Sequence, residues 1–509
     1  MKIAHLKAPA INNTRAEIYY KTHVDAVEGL NEKIANATSI VDACIFRPII
    51  KVHATTGSTV SVINGDGTIL TAEENNGDWD FEIPHYGYWT VKLVTGSTIT
   101  AKTVKVDTAK VYHVKPETVY RYGYRINKTE GDPYERVEYL YDAVGMTPAQ
   151  MDFNTGVFDY GSWSDAWFIT ENKPLMLKYD GTVDYYLDPD DYTKKENGET
   201  DTDVANTAYE GNAMAQIPLC WISRYEDENY CYEIVSNVQY DETFKAYAHT
   251  RADGTIADYF YTALFGASGN AAKLRSISGQ SLSQSLNATQ QIAGATANGT
   301  DWYIGTWSQR ELIRTLCVLI GKSTDTQSVF GNGNCRRTSS GQSLTESSLL
   351  ATGTLKDKGQ FYGYNSINQQ VKVFHIEGFW GDQWLRTAGL INNKGTLYAK
   401  MTPEGLGYRV TDVTGYFKVG TMPTASESYI NAMRCNEYGM TPSTVTGSGT
   451  TYYCDAAWSN NSQLNFLIVG GSANNFSANG GGFAFNVNNA PSNAYWNNGC
   501  THSYHKKVF

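Results

Sequence analysis

Apolar and polar residues alternate from Phe46 onward, and this period of two constrains the fold more than any other feature of the chain. The alternation is seen in Ile50/Val52/Ala54, Val60/Val62, Phe81/Ile83, Trp89/Val91/Leu93 and Val104/Val106. Turn-forming segments separate these runs at Thr56-Gly57, Asn64-Gly65-Asp66-Gly67, Asn76-Gly77 and Thr95-Gly96. Successive side chains of a strand point to opposite faces, so each run has one face for a core. Residues 44–114 are therefore predicted to form a β-sandwich of about 70 residues.

The rest of the chain divides into three further segments. Its 509 residues allow several domains. Residues 1–43 are polar with a weak helical pattern from Asp25 to Ala37, and we predict an attachment or oligomerisation segment there. Residues 115–211 are predicted to be a β-rich connecting domain, and residues 212–509 one large mixed domain. The fold class expected for the whole chain is therefore β-rich, α+β.

One helix stands out within residues 212–509. Ser308-x-x-Glu311 has the spacing of a capping box, and an apolar stripe follows it as far as Gly321. Most of the remaining segment is rich in glycine, serine and asparagine, which favours long loops carried by a scaffold.

The charge and composition of the chain disfavour some classes of binding partner. The formal net charge is −11, from 41 basic and 52 acidic residues, and no basic patch stands out. These features argue against nucleic acid and anionic membranes as partners. No window approaches about 18 consecutive apolar residues, and Met1 to Leu6 lacks the apolar region of a secretory signal. We expect synthesis in a cytoplasm without a signal peptide, and no membrane insertion.

The eight cysteines are scattered and form no CxxC pair, which favours reduced, partly buried thiols over a disulfide framework or a zinc site. Cys500-x-His502-x-x-His505 has spacing that a metal could use, but only three donors are visible. A final strand with buried alternate residues is the preferred interpretation. His375 is likewise interpreted as a core residue. No cofactor or metal is expected.

Catalytic motifs are weak. GxSxG and P-loop motifs are absent, and the carboxylate groups at Asp188/Asp190/Asp191, Asp227/Glu228 and Glu377/Asp382 are more typical of turns than of a glycosidase pair. Trp380 and Trp384 suit either a carbohydrate-stacking platform or core anchors, and we prefer core anchors. The chain is not expected to be an enzyme, although a glycan-degrading enzyme stays open as an alternative.

The last fifty residues carry the main functional hypothesis. An apolar strand, residues 464–469, leads into Gly470-Gly471 and then a run rich in asparagine, serine and glycine with interspersed aromatics. Amides donate and accept hydrogen bonds, and rigid rings add contact area at low entropic cost. This segment is therefore predicted to be a folded recognition surface, in the form of a flat array of amides and rings.

Four segments together resemble bacteriophage receptor-binding proteins (tail fibre and tropism determinant proteins) with a C-type-lectin fold. They are Met146 to Phe153 with Gly161-Ser162-Trp163, Asp180 to Tyr192, Gly378 to Arg386, and Gly470-Gly471…Gly482-Phe483…Ala490-Pro491-Ser492…Trp496-x-x-Gly499. The resemblance covers most of residues 140–509. Separately, His85 to Val91 resembles the immunoglobulin-like modules of bacteriophage structural proteins.

The resemblance implies a fold, a role and a site. It implies an immunoglobulin-like β-sandwich followed by a C-type-lectin-like receptor-binding domain at residues 212–509. The chain would be a virion tail or fibre protein, a homotrimer bound to other tail proteins, that recognises a bacterial surface receptor, protein or glycan. Such C-terminal segments are often the variable region of a diversity-generating retroelement. A purely structural baseplate or decoration protein is the other alternative. The implied receptor contacts, with Trp496 added from its chemistry, are Asn474, Asn475, Ser477, Asn479, Asn486, Asn488, Asn489, Asn493, Tyr495, Trp496, Asn497 and Asn498.

The same family shows where this chain departs from its relatives. Many of them have a Gly-Ala-Arg-Leu-type sequence where this chain has Gly499-Cys500-Thr501-His502. The calcium-binding motifs of vertebrate C-type lectins are also absent, because Trp496-Asn497-Asn498 lacks an acidic third residue. Calcium-dependent sugar binding is therefore not expected.

Overall fold

The chain is strongly β-rich and has few helices, as the sequence predicts. The computed structural model describes residues 4–7, 17–20, 47–54, 57–75 and 77–505. The chain forms two compact units, unit 1 with residues 1–119 and 238–242, and unit 2 with residues 120–237 and 243–509. The helical pattern from Asp25 to Ala37 lies outside the described residues.

Unit 1 is built from short strands. They are β1 (Ala4–Lys7), β2 (Glu17–Tyr20), β3 (Ile49–His53), β4 (Thr59–Asn64), β5 (Ile69–Thr71), β6 (Asp78–Glu82), β7 (Gly87–Thr95), β8 (Thr98–Val106), β9 (Val111–Val114) and β10 (Glu117–Thr118). β1 and β2 pair antiparallel. One sheet has the order β10-β8-β7-β4-β5 and a second the order β6-β3-β9, in which β3 and β9 run parallel.

The two larger sheets of unit 1 share one hydrophobic core. Val52 of β3 and Phe81 of β6 pack in the same buried cluster as Val62 of β4 and Trp89 of β7. These are alternate positions of their strands, so the period of two predicted both the strands and their buried faces. The two-layer β-sandwich is confirmed by this core, whereas its immunoglobulin-like character stays a prediction.

Unit 2 contains the remaining elements. Its strands are β11 (Arg121–Asn127), β12 (Val137–Tyr141), β13 (Gln150–Asp152), β14 (Val157–Asp159), β15 (Lys173–Lys178), β16 (Val183–Tyr186), β17 (Gly211–Pro218), β18 (Trp221–Glu226), β19 (Tyr230–Ser236), β20 (Tyr259–Ala263), β21 (Ser268–Asn270), β22 (Lys273–Arg275), β23 (Trp302–Ile304), β24 (Lys372–Val373), β25 (Ile376–Glu377), β26 (Trp384–Asn393), β27 (Thr396–Ala399), β28 (Phe417–Thr421), β29 (Ser428–Tyr429), β30 (Ala432–Asn436), β31 (Gly439–Thr444), β32 (Ala456–Ser459), β33 (Leu464–Val469), β34 (Phe485–Asn489), β35 (Asn498–Gly499) and β36 (His502–Tyr504). Its α-helices are α1 (Trp167–Thr170), α2 (Ala288–Thr296), α3 (Trp307–Gly321) and α4 (Thr326–Phe330). Short 3-10 turns lie at Tyr247–His249, Glu346–Ser348 and Ser477–Asn479.

Three sheets organise unit 2. Their orders are β12-β11-β19-β18, β16-β15-β17-β20-β36-β23 and β28-β27-β26-β33-β34-β32-β29, with β35 added to the last sheet beside β26. The predicted division between residues 115–211 and 212–509 falls inside the second sheet, because β15 pairs along its whole length with β17. Residues on both sides of that position also share one hydrophobic core.

Helix α3 begins earlier than the sequence suggests. Its N-cap is Thr306, and the Gln309 side chain accepts a hydrogen bond from the Thr306 amide at 3.1 Å. The predicted Ser308-x-x-Glu311 capping box is therefore wrong. The Glu311 carboxylate instead accepts hydrogen bonds from Arg314 at 2.9 Å and from the Met440 amide at 2.8 Å. Every residue of α3 is buried, so the helix is a central element of the core.

A buried charge cluster joins α3 to the first sheet. Glu233 of β19 is fully buried and accepts hydrogen bonds from Arg224 at 2.5 Å and from Arg314 at 2.7 Å. The Tyr124 hydroxyl also donates to this carboxylate. Burial alone would raise the pKa of Glu233, but the two guanidinium groups outweigh it and lower that pKa to about 2.

The seven cysteines of the described chain are free and buried, and Cys44 lies outside the described residues. Nowhere in residues 47–54, 57–75 and 77–505 is there a helix both long and apolar enough to cross a membrane.

Candidate functional site

The third sheet of unit 2 carries an open, polar pocket on one face. Its floor follows from the strand register, since Ile468 of β33 and Trp458 of β32 both pair with Asn486 of β34. Paired residues of neighbouring strands lie side by side on the same face. Trp384 at the start of β26 continues this surface and packs edge-on against Trp458, with ring centroids 5.1 Å apart.

Two loops complete the pocket above this floor. One follows β33 and the other follows β34. The cavity volume is about 300 Å³. Its lining residues are Trp384, Trp458, Ile468, Asn475, Asn486, Asn488, Asn489, Asn493, Tyr495, Asn497 and Asn498. Tyr495 is 52% exposed and stands at the rim. The surface is therefore concave, which corrects the expectation of a flat array.

Buried side chains from other elements hold the loop after β34 by its backbone. The Gln291 side chain of α2 donates to the Asn498 carbonyl at 3.1 Å, and Gln383 donates to the Trp496 carbonyl at 2.8 Å. Arg386 donates to the Asn493 carbonyl at 3.1 Å. These donors are themselves buried, so contacts from inside the domain fix the backbone of the loop.

A buried carboxylate, that of Asp455, and a backbone carbonyl, that of Asp382, hold the loop after β33. The Phe483 amide donates to the Asp455 carboxylate at 2.7 Å, and the Ala473 amide donates to the Asp382 carbonyl at 2.8 Å. The Asp382 carboxylate accepts from Asn334 at 2.7 Å and from Gln370 at 2.5 Å. Burial raises the pKa of Asp382 to about 6 and that of Asp455 well above its usual range.

Asn489 connects the amides of the pocket. Its Oδ1 accepts hydrogen bonds from Asn493 at 3.3 Å and from Asn498 at 3.2 Å. Its Nδ2 donates to Asn488 at 2.5 Å and, more weakly, to Asn486 at 3.5 Å. The amide of Asn489 is thus used within the protein, and it orients four neighbouring amides.

The two loops are also joined to each other. Asn475 Oδ1 accepts from the amide and hydroxyl of Ser472 at 2.9 and 3.0 Å, which closes a tight turn. Asn497 Nδ2 donates to the same hydroxyl at 3.1 Å. The pocket is therefore preorganised from both sides.

Each of the other six side-chain amides of the lining has either its Nδ2 group or its Oδ1 atom without a hydrogen-bond partner in the described chain. No protein partner is hydrogen-bonded there to the Nδ2 groups of Asn475, Asn486 and Asn488, or to the Oδ1 atoms of Asn493, Asn497 and Asn498. The pocket thus presents three donor groups and three acceptors. Its lining contains no Asp, Glu, His, Lys or Arg.

Eight of the twelve predicted contact residues line this pocket, and four do not. Asn479 is buried and structural, because its Oδ1 accepts from the Tyr429 hydroxyl and its Nδ2 donates to Glu427, both at 2.7 Å. Ser477 starts the short 3-10 turn beside it. Asn474 and Trp496 are partly exposed outside the lining.

Trp458 is the lining residue that the sequence does not reveal. It lies in β32, which runs parallel to β34. Nothing in the local sequence around it signals this pairing. Trp384 belongs to the tryptophan segment that the sequence does single out. Trp380 is a buried core anchor, as predicted, whereas Trp384 is buried in a small separate cluster and also lines the pocket.

The other chemical motifs have structural roles. Asp188 accepts hydrogen bonds from the amides of Asp190 and Asp191 at 2.8 and 3.1 Å, as in a turn. The Glu377 carboxylate is buried and accepts from Thr354 at 2.7 Å. His375 is buried and hydrogen-bonded to the Tyr192 hydroxyl at 2.7 Å, which confirms its interpretation as a core residue.

The Cys500, His502 and His505 motif lies at the last strand. Cys500 and the β36 residues are buried, in keeping with a buried final strand. As far as the structure describes the chain, no three His, Cys, Asp or Glu residues are grouped as a metal site requires.

Comparisons with known proteins give only distant likenesses. No protein-family model matches the sequence, and no curated protein matches it. Among solved structures, the U1 variant of the Major Tropism Determinant is 11% identical, with 66% of this chain and 73% of that chain covered and a TM-score of 0.24. The M1 variant is 12% identical, with 66% and 72% covered and a TM-score of 0.25. The P3c variant is 11% identical, with 65% and 71% covered and a TM-score of 0.24.

Proposed function

We propose that this chain is a receptor-binding protein of a virion tail or fibre, which recognises the bacterial host surface through the pocket of unit 2. The observation that carries this proposal is the convergence of eight predicted contact residues, with Trp384 and Trp458, on one solvent-open pocket. Amides and aromatic rings are the residue types of adaptable recognition surfaces.

The lining favours binding over catalysis. General acid–base and nucleophilic catalysis need groups such as carboxylates, imidazoles or thiols at the site. The pocket is lined by amides, aromatic rings and Ile468, and by no carboxylate, imidazole or thiol. A glycan-degrading activity at this pocket therefore has no residues to perform it.

The support of the pocket suits a recognition role as well. Gln291, Gln383 and Arg386 fix backbone carbonyls of one loop, whereas the Asp455 carboxylate and the Asp382 backbone carbonyl bind amides of the other. A site held in its bound shape avoids part of the ordering cost of association. Side chains at the rim can change while this frame stays constant.

The finer features of the proposal come from the resemblance of the sequence. Residues 212–509 would have a C-type-lectin-like fold, and the β-sandwich of unit 1 would be an immunoglobulin-like spacer. A homotrimer attached to other tail proteins would raise avidity by about 10²–10⁴ over a single site. The asparagine positions would be those that a diversity-generating retroelement varies.

The test is binding of the fluorescently labelled full chain to intact cells of a panel of bacterial strains. We expect a subset of strains to bind it, and the Tyr495→Ala/Trp496→Ala double variant to lose that binding. Tyr364→Ala is the matched control, because Tyr364 is 41% exposed in the same unit and lies outside the pocket lining. Near-ultraviolet circular dichroism checks that each variant is folded.

Three outcomes would contradict the proposal. Undiminished binding by a folded double variant would refute the site. Release of reducing sugar from cell envelopes would indicate the enzyme instead. Failure to bind any strain would favour a structural baseplate or decoration role.

A further inference from the structure

We infer that the ligand of the pocket is a neutral saccharide unit of a surface glycan, and this inference rests on the proposed function of the pocket. It commits to a class of ligand that the sequence leaves open, since the sequence allows a protein or a glycan receptor. Four properties of the pocket support it, namely its charge, its hydrogen-bonding groups, its size and its rings.

The pocket offers no charge to a ligand. Two arginines contact the loops without lining the pocket. Arg337 donates its backbone amide to the Asn475 carbonyl at 3.0 Å and pairs its guanidinium with Glu427. Arg386 donates to the Asn493 carbonyl and to Gln291. Its remaining Nη1 is buried and does not reach the cavity surface. Uronic acids, sialic acids and phosphorylated sugars would enter without a counter-charge, and taking an unpaired charge out of water is costly.

The free hydrogen-bonding groups match hydroxyls. The pocket presents three amide donors, on Asn475, Asn486 and Asn488, and three amide acceptors, on Asn493, Asn497 and Asn498. Each hydroxyl group is both a donor and an acceptor. A ligand with several adjacent hydroxyls can therefore satisfy both sets at once without carrying charge.

The size of the cavity favours a small ligand over a protein surface as its main occupant. A volume of about 300 Å³ is at the lower end of small-molecule pockets. Stable protein interfaces instead bury roughly 800 Å² on each partner, which is far more than this recess offers. One or two sugar rings fit these dimensions.

The rings complete the match. Trp458 is partly exposed, and Tyr495 is exposed at the rim. An aromatic ring has a negative face, which attracts the positively polarised C–H groups of an apolar edge. A sugar ring has such C–H edges between its hydroxyls, so it can stack on Trp458 or Tyr495 while the amides bind the hydroxyls.

The experiment measures binding of the full chain to defined saccharides. The probes are an array of neutral bacterial and plant oligosaccharides, with D-glucuronate-containing and sialylated glycans as the charged arm. Titration calorimetry with the best neutral probe follows. We expect binding of a neutral probe that is insensitive to salt, because no ion pair is formed.

The variants remove one donor and one acceptor. Asn488→Ala and Asn493→Ala each delete a partly exposed amide. Each is expected to reduce the affinity for the neutral probe roughly tenfold, which is the effect of losing a hydrogen bond worth about 1.4 kcal/mol. Asn474→Ala is the control, since Asn474 lies nearby outside the lining. Unchanged thermal unfolding shows that the loss is not due to misfolding, and Tyr495→Phe, which keeps the ring, tests the stacking separately.

Some outcomes overturn the inference and leave the proposed function intact. Binding to no neutral saccharide, or a salt-sensitive preference for the charged arm, overturns it. Loss of cell binding after protease treatment of the cells, with no loss after periodate oxidation of their vicinal diols, identifies a protein receptor and overturns it as well. Cell binding that still depends on Tyr495 would then uphold the site with another ligand.

Discussion

His502 is buried in the core, and protonation of its imidazole would place an unpaired charge there. It lies in β36, is fully buried, and neither ring nitrogen has a hydrogen-bond partner among the described residues. Burial, assisted by the charge of Arg275, lowers the pKa of His502 to about 3. In the unfolded chain a histidine has a pKa of about 6.5. As the pH falls, the unfolded state therefore binds a proton that the folded state does not.

The contribution of His502 to stability follows from this difference. It is fully present above about pH 6.5 and is lost progressively as the pH falls toward the folded pKa. At about pH 5, which is roughly 1.5 units below the unfolded pKa, the loss is about 2 kcal/mol, at about 1.36 kcal/mol per unit. His502→Leu replaces the ring by an apolar side chain of similar volume and sacrifices no hydrogen bond within the described chain. When the pH falls from about 7.5 to about 5, we therefore expect the free energy of unfolding of this variant to decrease by about 2 kcal/mol less than that of the wild type.

The assay is urea unfolding followed by tryptophan fluorescence at both pH values, with the transition of unit 2 analysed. The buried His249 and His375 and the carboxyls of Asp382 and Asp455 also titrate, but they are common to both proteins and cancel in the difference. His113→Leu is the control, because His113 is exposed in unit 1. Equal pH dependence of His502→Leu and the wild type would refute the claim that burial keeps this ring neutral.

Two further predictions concern the frame of unit 2. Asn489→Ala removes the amide that orients four neighbouring amides, and it should lower the free energy of unfolding by roughly 1–3 kcal/mol because buried polar groups are left unpaired. Ser492→Ala, on the exposed part of the loop, is the control and should change that free energy little. Equal denaturant midpoints for the two variants would show that the network does not stabilise the fold. Glu233→Gln leaves the buried Arg224 guanidinium without its carboxylate and Arg314 with that of Glu311 alone, and it should cost roughly 3–5 kcal/mol in the free energy of unfolding, whereas the exposed Glu228→Gln should be nearly neutral; a cost below about 1 kcal/mol would mean that Arg224 finds another partner.

The sequence predicts local features well because their causes are local. In unit 1 the alternation of Ile50 and Val52 with polar residues, bounded by glycine turns, specifies both strand and buried face. The apolar stripe that ends at Gly321 likewise predicts helix α3. The predicted start of α3 is wrong because the Glu311 carboxylate binds Arg314 and the Met440 amide instead of capping the helix. The contact with Met440 spans 129 positions of sequence.

Distant pairing explains the domain boundary as well. The polar segment before Asn212 suggests a division, yet β17 begins at Gly211 and continues the sheet of β15. Hydrogen bonds between strands are made by the backbone and carry no residue-specific signal. A boundary that depends on which strand pairs with which is therefore not readable from composition.

The candidate site shows the same limit at the level of single side chains. The richness in asparagine correctly indicates the residue types of the pocket, but not its shape, because the floor depends on the parallel pairing of Trp458 with Asn486. Nor does composition tell which amides are used up by the protein. Asn479 binds Tyr429 and Glu427, and Asn489 binds four other asparagines, so neither has an amide left for a receptor. The amides able to contact a ligand are thus the six in which the Nδ2 group or the Oδ1 atom has no protein partner. Variation at these six can change specificity, whereas variation at Asn479 or Asn489 would first change stability.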